Sequence, residues 1–364
     1  MAVYKVIQWG TGGVGKHSLR EVLRNPEFKL VGVKAFSKSK AGLDAGDLCG
    51  MPKTGVLATD HMSRLPLADA DVVLYMPKSP DYEEISFLLR SGCDIVTTAN
   101  HVYPKYYGPE IYDKLQSAGI EGKSTFHGAG INPAFMSDIL PITISRCSHR
   151  VSRITVQEVS DVIEYASNAP EIMLDGLGFG MKPEDALNNT KAWIKFMSDY
   201  FSESILMICD QMGVKLQEVR PNHTVAVAKT RVELHRCGRT IEPGTVACRK
   251  FEWQGIVDGL PRIILRTYWK TTMDIDPRWD VGSEQRVEWT VTIEGTPSFQ
   301  CKIACCNSYD PASPQYLKGG EEAAIIATGV HCVNAIPYVY AAAPGVRTPL
   351  DIGMVASRGA LRGL

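Results

Sequence analysis

The chain has 364 residues, 45% of them hydrophobic and 22% charged, and a formal net charge of −1. That length exceeds one ordinary hydrophobic core and suits two domains of a soluble globular protein. The near-neutral balance gives no global field toward nucleic acid or an anionic membrane, so neither is an expected partner and any phosphate must be bound by local geometry.

Residues 1–148 alternate strand and helix. The opening MAVYKVIQWGTGG lacks the basic start and long apolar core of a signal peptide, and its YKVIQW is a short apolar strand. A helical pattern follows from Val14 to Leu23. Gly10, Gly12 and Gly15 stand in GxGxxG spacing between the two, and KLVGVKAF supplies a second strand, which is the context of a dinucleotide-binding βαβ unit. Gly10 allows the tight turn, Gly12 lets the backbone approach a pyrophosphate, and Gly15 permits close helix–strand packing. Thr11, Gly13 and Val14 complete the cradle at the helix N-terminus. NAD binding usually places Asp or Glu at the tip of the second strand for the ribose 2′-hydroxyl. Here the tip reads Ser37, Lys38, Ser39, Lys40, with no acid before Asp44. Hydroxyl and ammonium groups would hold a 2′-phosphate, so NADP(H) is expected over NAD(H).

GVLATD is a weak strand and DVVLYM a clear one. The helix in SPDYEEISFLLRSG opens with Ser79 as N-cap and Pro80 at the first helical position. DIVTT, a helix through PEIYDKLQSAG, and STFHGAG follow. Near-continuous apolar strands separated by helices imply a doubly wound parallel sheet covered on both faces, a Rossmann domain. Met76 and Pro77, then Thr98 and Ala99, lie at strand ends on the carboxyl edge, where such sheets bind ligands, and are expected beside the cofactor. TTANHVYP, residues 97–104, is the candidate catalytic loop. Asn100 can orient a carbonyl or imine through its amide, and His101 titrates in the useful range. Tyr103 either donates its phenolic proton or packs beneath the loop. His127, at the end of the sixth strand, is an alternative acid or a packing histidine. Asn132 and Pro133 suit the N-cap and first position of a further helix, whose N-terminus also borders the nicotinamide site.

Residues 149–318 are strand-rich, with long period-two segments and one helical insertion from about Lys182 to Met212, an α+β substrate and dimerisation domain with a largely antiparallel sheet. Asp161, near Glu158, Glu164 and Tyr165, ends the first strand and could face the cleft to bind a cationic substrate or supply a carboxylate; a solvated strand end is the alternative. The ten cysteines include no CxxC pair, and CKIACCNSY reads as a strand whose neighbouring residues point to opposite faces, so no metal is expected. Reduced thiols make the cytoplasm the natural compartment. Trp253, Tyr268, Trp269, Trp279 and Trp289 either line a pocket or pack the sheet. Residues 319–364 return to helix. No run of 18 apolar residues occurs, so no membrane-spanning helix is expected.

VIQWGTGGVGK, AGLDAGDL, GAGINPAF, GLGFGMKPED and VNAIPYVYAAAPGVRTPLDI together resemble the dihydrodipicolinate reductase-like oxidoreductases, closest to the 2,4-diaminopentanoate dehydrogenase and native amine dehydrogenase branch. The resemblance implies a Rossmann domain, a substrate domain, a C-terminal helix returning to the cofactor, a small-molecule substrate between the domains, and a homodimer. It places Asn334 near the nicotinamide carboxamide. Amine dehydrogenases of the branch carry a glutamate in the segment ending Ser-Tyr-Pro; here the segment ends Val102-Tyr103-Pro104, and Ala99 and Asn100 stand where that acid belongs. The His-His segment and lysine of true dihydrodipicolinate reductases are also absent from TVQEVSDVIEY. Three readings follow: reduction or oxidation at a C=O or C=N bond with NADP(H), amine dehydrogenation with a relocated acid, or NADP binding without turnover.

Overall fold

The computed structural model describes residues 3–99, 101–168, 170–189, 191–279, 281, 287–358 and 360. The chain divides into two compact units, residues 1–135 with 325–364, and residues 136–324.

The first unit is built on strands β1 (Tyr4–Trp9), β2 (Phe28–Lys34), β3 (Ala58–Thr59), β4 (Val72–Tyr75), β5 (Asp94–Thr97) and β6 (Thr125–Gly128), with a short last strand at Gly345–Val346. Their order is Gly345–Val346, β6, β5, β4, β1, β2, β3, and every pairing is parallel. The expected doubly wound sheet is the observed one. Helix α1 (Gly13–Arg24) buries Gly15, Ser18, Leu19 and Val22, a three-and-four spacing that presents one face to the sheet. On that face Leu19 and Val22 share a core with Cys332, Val333, Ile336 and Val339 of the helix Gly320–Tyr340. After the short α2 (Ala45–Cys49), helices α3 (Tyr82–Arg90) and α4 (Pro109–Gly122) cover the other face through Ile85, Leu88, Leu89, Leu115 and Ala118.

Two local expectations are corrected. Asp81, not Ser79, caps α3, its carboxylate accepting from the Glu83 and Glu84 N–H groups. No helix starts at Asn132: residues 132–138 form turns, and Asp138 caps a helix at Ile139–Ser145. Ala134 has a left-handed φ of 94°, which a right-handed helix cannot include. Gly320–Tyr340 is, among the described residues, the one helix long and apolar enough by length and composition to cross a membrane. Its buried side chains belong to the core of the first unit.

The second unit holds β7 (Arg150–Asp161), β8 (Glu218–Ala228), β9 (Val232–Leu234), β10 (Arg239–Ile241), β11 (Val246–Val257), β12 (Leu260–Lys270), β13 (Ile275–Asp276), β14 (Val287–Thr296) and β15 (Phe299–Cys305). Seven form one sheet in the order β13, β8, β11, β12, β7, β14, β15, antiparallel except where β12 meets β7. Ile194, Met197, Phe201, Ile205 and Ile208 of the helix Lys191–Gln211 supply much of its core. Phe201 stacks on Trp253 at 4.1 Å, and the Trp253 indole donates to Ser198 Oγ at 2.8 Å. Trp269 and Trp289 both donate to the Glu158 carboxylate at 2.9 Å. These tryptophans hold the sheet together.

One buried acid at the start of β5 makes the first unit sensitive to pH. Asp94 accepts from the Thr125 N–H at 2.7 Å. Burial pushes its carboxyl up to about 7, with the Thr125 N–H opposing and Asp71 adding to the rise. A carboxyl raised on folding contributes its stability below its ordinary value of 3.8 and loses it as pH rises through about 7. Asp94→Asn, which keeps the acceptor, should therefore stabilise by about 1–3 kcal/mol at pH 8 and by little at pH 4. Urea denaturation at the two pH values measures this, and an equal effect at both would refute it.

Candidate active site

Sheet register sets four loops side by side. Trp9 pairs with Tyr75, Tyr75 with Thr97, and Thr97 with Gly128, so the segments that follow all leave the same carboxyl edge. The first is the glycine turn. Gly10 has φ 96°, and a Cβ there would lie 2.7 Å from the Met76 carbonyl oxygen. A Cβ on Gly15 would lie 2.2 Å from the Gly10 carbonyl oxygen. Gly12 and Gly13 differ: both are exposed, and a Cβ on either would meet nothing within 4 Å. Gly12 occupies the N-cap of α1, and no side chain caps the helix there. Open space in front of uncapped amide N–H groups fits a pyrophosphate. Thr11 is buried and Val14 half-buried beneath this opening.

The strand-tip loop adjoins the glycine turn. Lys40 Nζ donates to the Thr11 carbonyl at 2.7 Å, Ser37 and Ser39 hydroxyls lie 2.6 Å apart, and Lys38 is exposed. Asp44, the first acid after the strand, faces its own backbone: the Thr54 N–H, with those of Gly46 and Gly55, holds its carboxyl below the usual range against the opposing effect of burial. It caps α2 and offers nothing to a ribose.

Met76 is buried against the glycine turn, with Pro77 half-buried after it. In the third loop, Thr98 is half-buried and Ala99 buried, its N–H donating to Thr97 Oγ1 at 2.9 Å. Asn100 lies outside the described residues. His101 has a left-handed φ of 68°, and its ring turns inward to stack on Tyr107 at 4.0 Å. Nδ1 meets the Ala99 carbonyl at 3.2 Å and Nε2 the Tyr82 hydroxyl at 2.8 Å. A neutral ring donating from Nδ1 and accepting at Nε2 satisfies both contacts. Burial pushes its pKa down to about 4. Tyr103 is half-buried, just before the turn Pro104–Tyr107.

His127 in the fourth strand end is fully buried, and Nδ1 donates to the Arg347 carbonyl at 2.8 Å. Burial again lowers its pKa to about 4. Beyond it, Asn132 sits half-buried in the turns rather than on a helix. Asn334 is half-buried on the helix Gly320–Tyr340. Asp161 belongs to the second unit. There its carboxylate accepts from the Ile163 N–H at 3.1 Å and lies 3.7 Å from the buried Lys270 ammonium. Its charge is balanced by a lysine within its own unit.

Two titratable groups escape the sequence reading. His331 places Nδ1 2.6 Å from the Gly130 carbonyl oxygen, tying the fourth loop to the helix. Its spacing of three from Asn334 was the available signal. Glu321, in the first turn of that helix, is half-buried, and burial raises its carboxyl to about 8, opposed by the Tyr165 N–H and reinforced by Asp161 and Glu164. Nothing in a glutamate's local sequence announces such a shift. Among the described residues no group of side chains forms a metal site.

The 2,4-diaminopentanoate dehydrogenase C-terminal domain model matches residues 135–361. An amine dehydrogenase from Streptomyces virginiae is 29% identical over 98% of both chains. A 2,4-diaminopentanoate dehydrogenase from Acetoanaerobium sticklandii is 26% identical over 97% of this chain and 94% of its own. In fold, the chain is similar to an amine dehydrogenase from Mycobacterium smegmatis, with a TM-score of 0.73 and 17% identity over 98% of each chain. GenD2 of gentamicin A biosynthesis, solved in complex with NAD, gives a TM-score of 0.52 and 13% identity over 97% of this chain and 90% of its own.

The glycine geometry separates two kinds of variant. Gly15→Ala should lower stability by about 3 kcal/mol, because backbone must move to admit the methyl group. Gly12→Ala should melt near the wild-type temperature yet bind dinucleotide about tenfold more weakly, the methyl group occupying the phosphate's space. Thermal melts and cofactor titration check both, and wild-type binding by Gly12→Ala would refute the cradle.

Proposed function

The chain belongs to the 2,4-diaminopentanoate dehydrogenase family and is an NAD(P)-dependent oxidoreductase; from that premise we propose that it uses NADP(H) to move hydride to or from a C=O or C=N bond of a small molecule. The observation that carries the cofactor preference is the strand-tip loop. Ser37, Lys38, Ser39 and Lys40 present hydroxyl and ammonium groups, and Asp44 spends its carboxylate on its own backbone. Amide N–H groups of Gly12 to Gly15 receive the pyrophosphate. Bound nicotinamide supplies the hydride; the protein's part is to orient the substrate and manage one proton.

Asn100 orients the carbonyl or imine in this proposal, and Tyr103 is its proton donor. Of the alternatives, His101 commits both ring nitrogens to Ala99 and Tyr82, and His127 binds Arg347. Burial leaves both imidazoles neutral at pH 7. His101 thus supports the loop from within. Family membership favours turnover over a non-catalytic binding module, and a homodimer belongs to the same proposal. Amine dehydrogenation is the second reading, with Glu321, whose buried carboxyl is raised to about 8, as the candidate relocated acid.

NADPH should bind at least about tenfold tighter than NADH, and equal affinities would end the NADP reading. Tyr103→Phe should lower kcat by about a hundredfold with cofactor affinity unchanged. Ammonia-dependent NADPH consumption with a ketone, lost in Glu321→Gln, would shift the assignment to the second reading.

A further inference from the structure

Gln8 is the one polar side chain in the buried stretch Val6–Trp9 of β1, and it is completely buried. Parallel strands covered on both faces are normally apolar throughout, and a buried amide without partners costs free energy. Its partners are specific. Nε2 donates to the Gly10 carbonyl at 2.9 Å and reaches Met76 Sδ at 3.5 Å. Oε1 accepts from Ser18 Oγ at 3.0 Å. Ser18 Oγ also lies 3.0 Å from the Gly15 carbonyl and 3.2 Å from Met76 Sδ. Ser18 is completely buried and Met76 nearly so. The network therefore joins β1, the glycine turn, α1 and the end of β4.

Gly15 is part of the same arrangement. A Cβ there would stand 3.2 Å from Gln8 Nε2 as well as 2.2 Å from the Gly10 carbonyl oxygen. The side-chain-free position is where the Gln8 amide passes to reach the turn.

We propose that Gln8, with Ser18 behind it, is a positioning residue that clamps the Gly10 carbonyl and so fixes the direction of the uncapped N–H groups that receive the cofactor pyrophosphate. The proposal rests on the reading of Gly12 to Gly15 as the pyrophosphate cradle. Gln8 touches neither cofactor nor substrate. It acts by removing the freedom of a turn whose glycines would otherwise sample many conformations. A third glycine commonly ascribed to helix–strand packing here also admits the clamp.

The test uses Gln8→Met, which keeps the volume and removes the donors, and Ser18→Ala. Gln8→Met should raise Kd and KM for NADPH about tenfold, consistent with loss of one buried hydrogen bond to the loop, while kcat at saturating NADPH changes less than about twofold. Adenosine 2′-monophosphate, which has no pyrophosphate, should bind with unchanged affinity. Ser18→Ala should weaken NADPH about threefold and add nothing in the double variant, because it acts through Gln8. Wild-type NADPH affinity in Gln8→Met would overturn the proposal, as would an equal loss for adenosine 2′-monophosphate, the mark of general damage. Should Gln8→Met fail to fold, Ser18→Ala decides: threefold weakening of NADPH alone supports the clamp, and no change overturns it. If the wild-type protein prefers NADH, the NADP reading fails, and the clamp is judged on NADH against adenosine by the same criteria.

Discussion

The turn from β1 into α1 is so crowded that its geometry leaves little choice. Gly10 lies against the Met76 carbonyl, Gly15 lies against the Gly10 carbonyl, and neither position has room for a methyl group. This close crossing brings the helix N-terminus to the carboxyl edge of the sheet, and the other loops of that edge are arranged around it by register. The second contact of the crossing comes from the helix Gly320–Tyr340, where a Cβ on Gly329 would sit 3.1 Å from the Val14 carbonyl oxygen. Helix dipole, open amides and close packing meet at a single point, and the proposed pyrophosphate cradle rests on that combination.

Burial, more than charge pairing, shifts the titration of several buried groups. His101 and His127 are neutral because the folded chain excludes water from their rings, and each gives its Nδ1 proton to a backbone carbonyl. Such rings are struts. The same effect acts in the opposite sense on carboxyls, raising Glu321 and Asp94. Asp161, the acid that its strand-end position favoured, is engaged by Ile163 and Lys270.

The fold was largely legible because its strongest signals are periodic. Strand–helix alternation, GxGxxG after a strand, and period-two segments later in the chain match the two seven-stranded sheets. Local boundaries were less legible where equivalent residues compete. Ser79 and Asp81 both suit an N-cap, as do Asn132 and Asp138, and in each case the aspartate prevailed. In the second pair the decisive feature is the left-handed Ala134, a backbone property that no side chain reports. Within the site, the location of the candidate loop could be read, but the direction of its side chains could not. His101 points inward because its own φ is positive, and Gln8 looks like an irregularity in an apolar strand until its partners are seen.

The bond from Lys40 to the Thr11 carbonyl ties together two parts of the proposed cofactor site, the strand-tip loop and the glycine turn. Thr11 lies inside the glycine turn, so the residue at the end of the strand-tip loop also braces the phosphate loop. Redesign of cofactor preference is therefore not free to treat the strand tip as a replaceable cassette. Removing Lys40 to admit an acid would loosen the turn for either dinucleotide, whereas exposed Lys38 and the paired hydroxyls of Ser37 and Ser39 can be altered with the brace intact. If the strand-tip loop selects the cofactor as proposed, those three residues are the ones to alter.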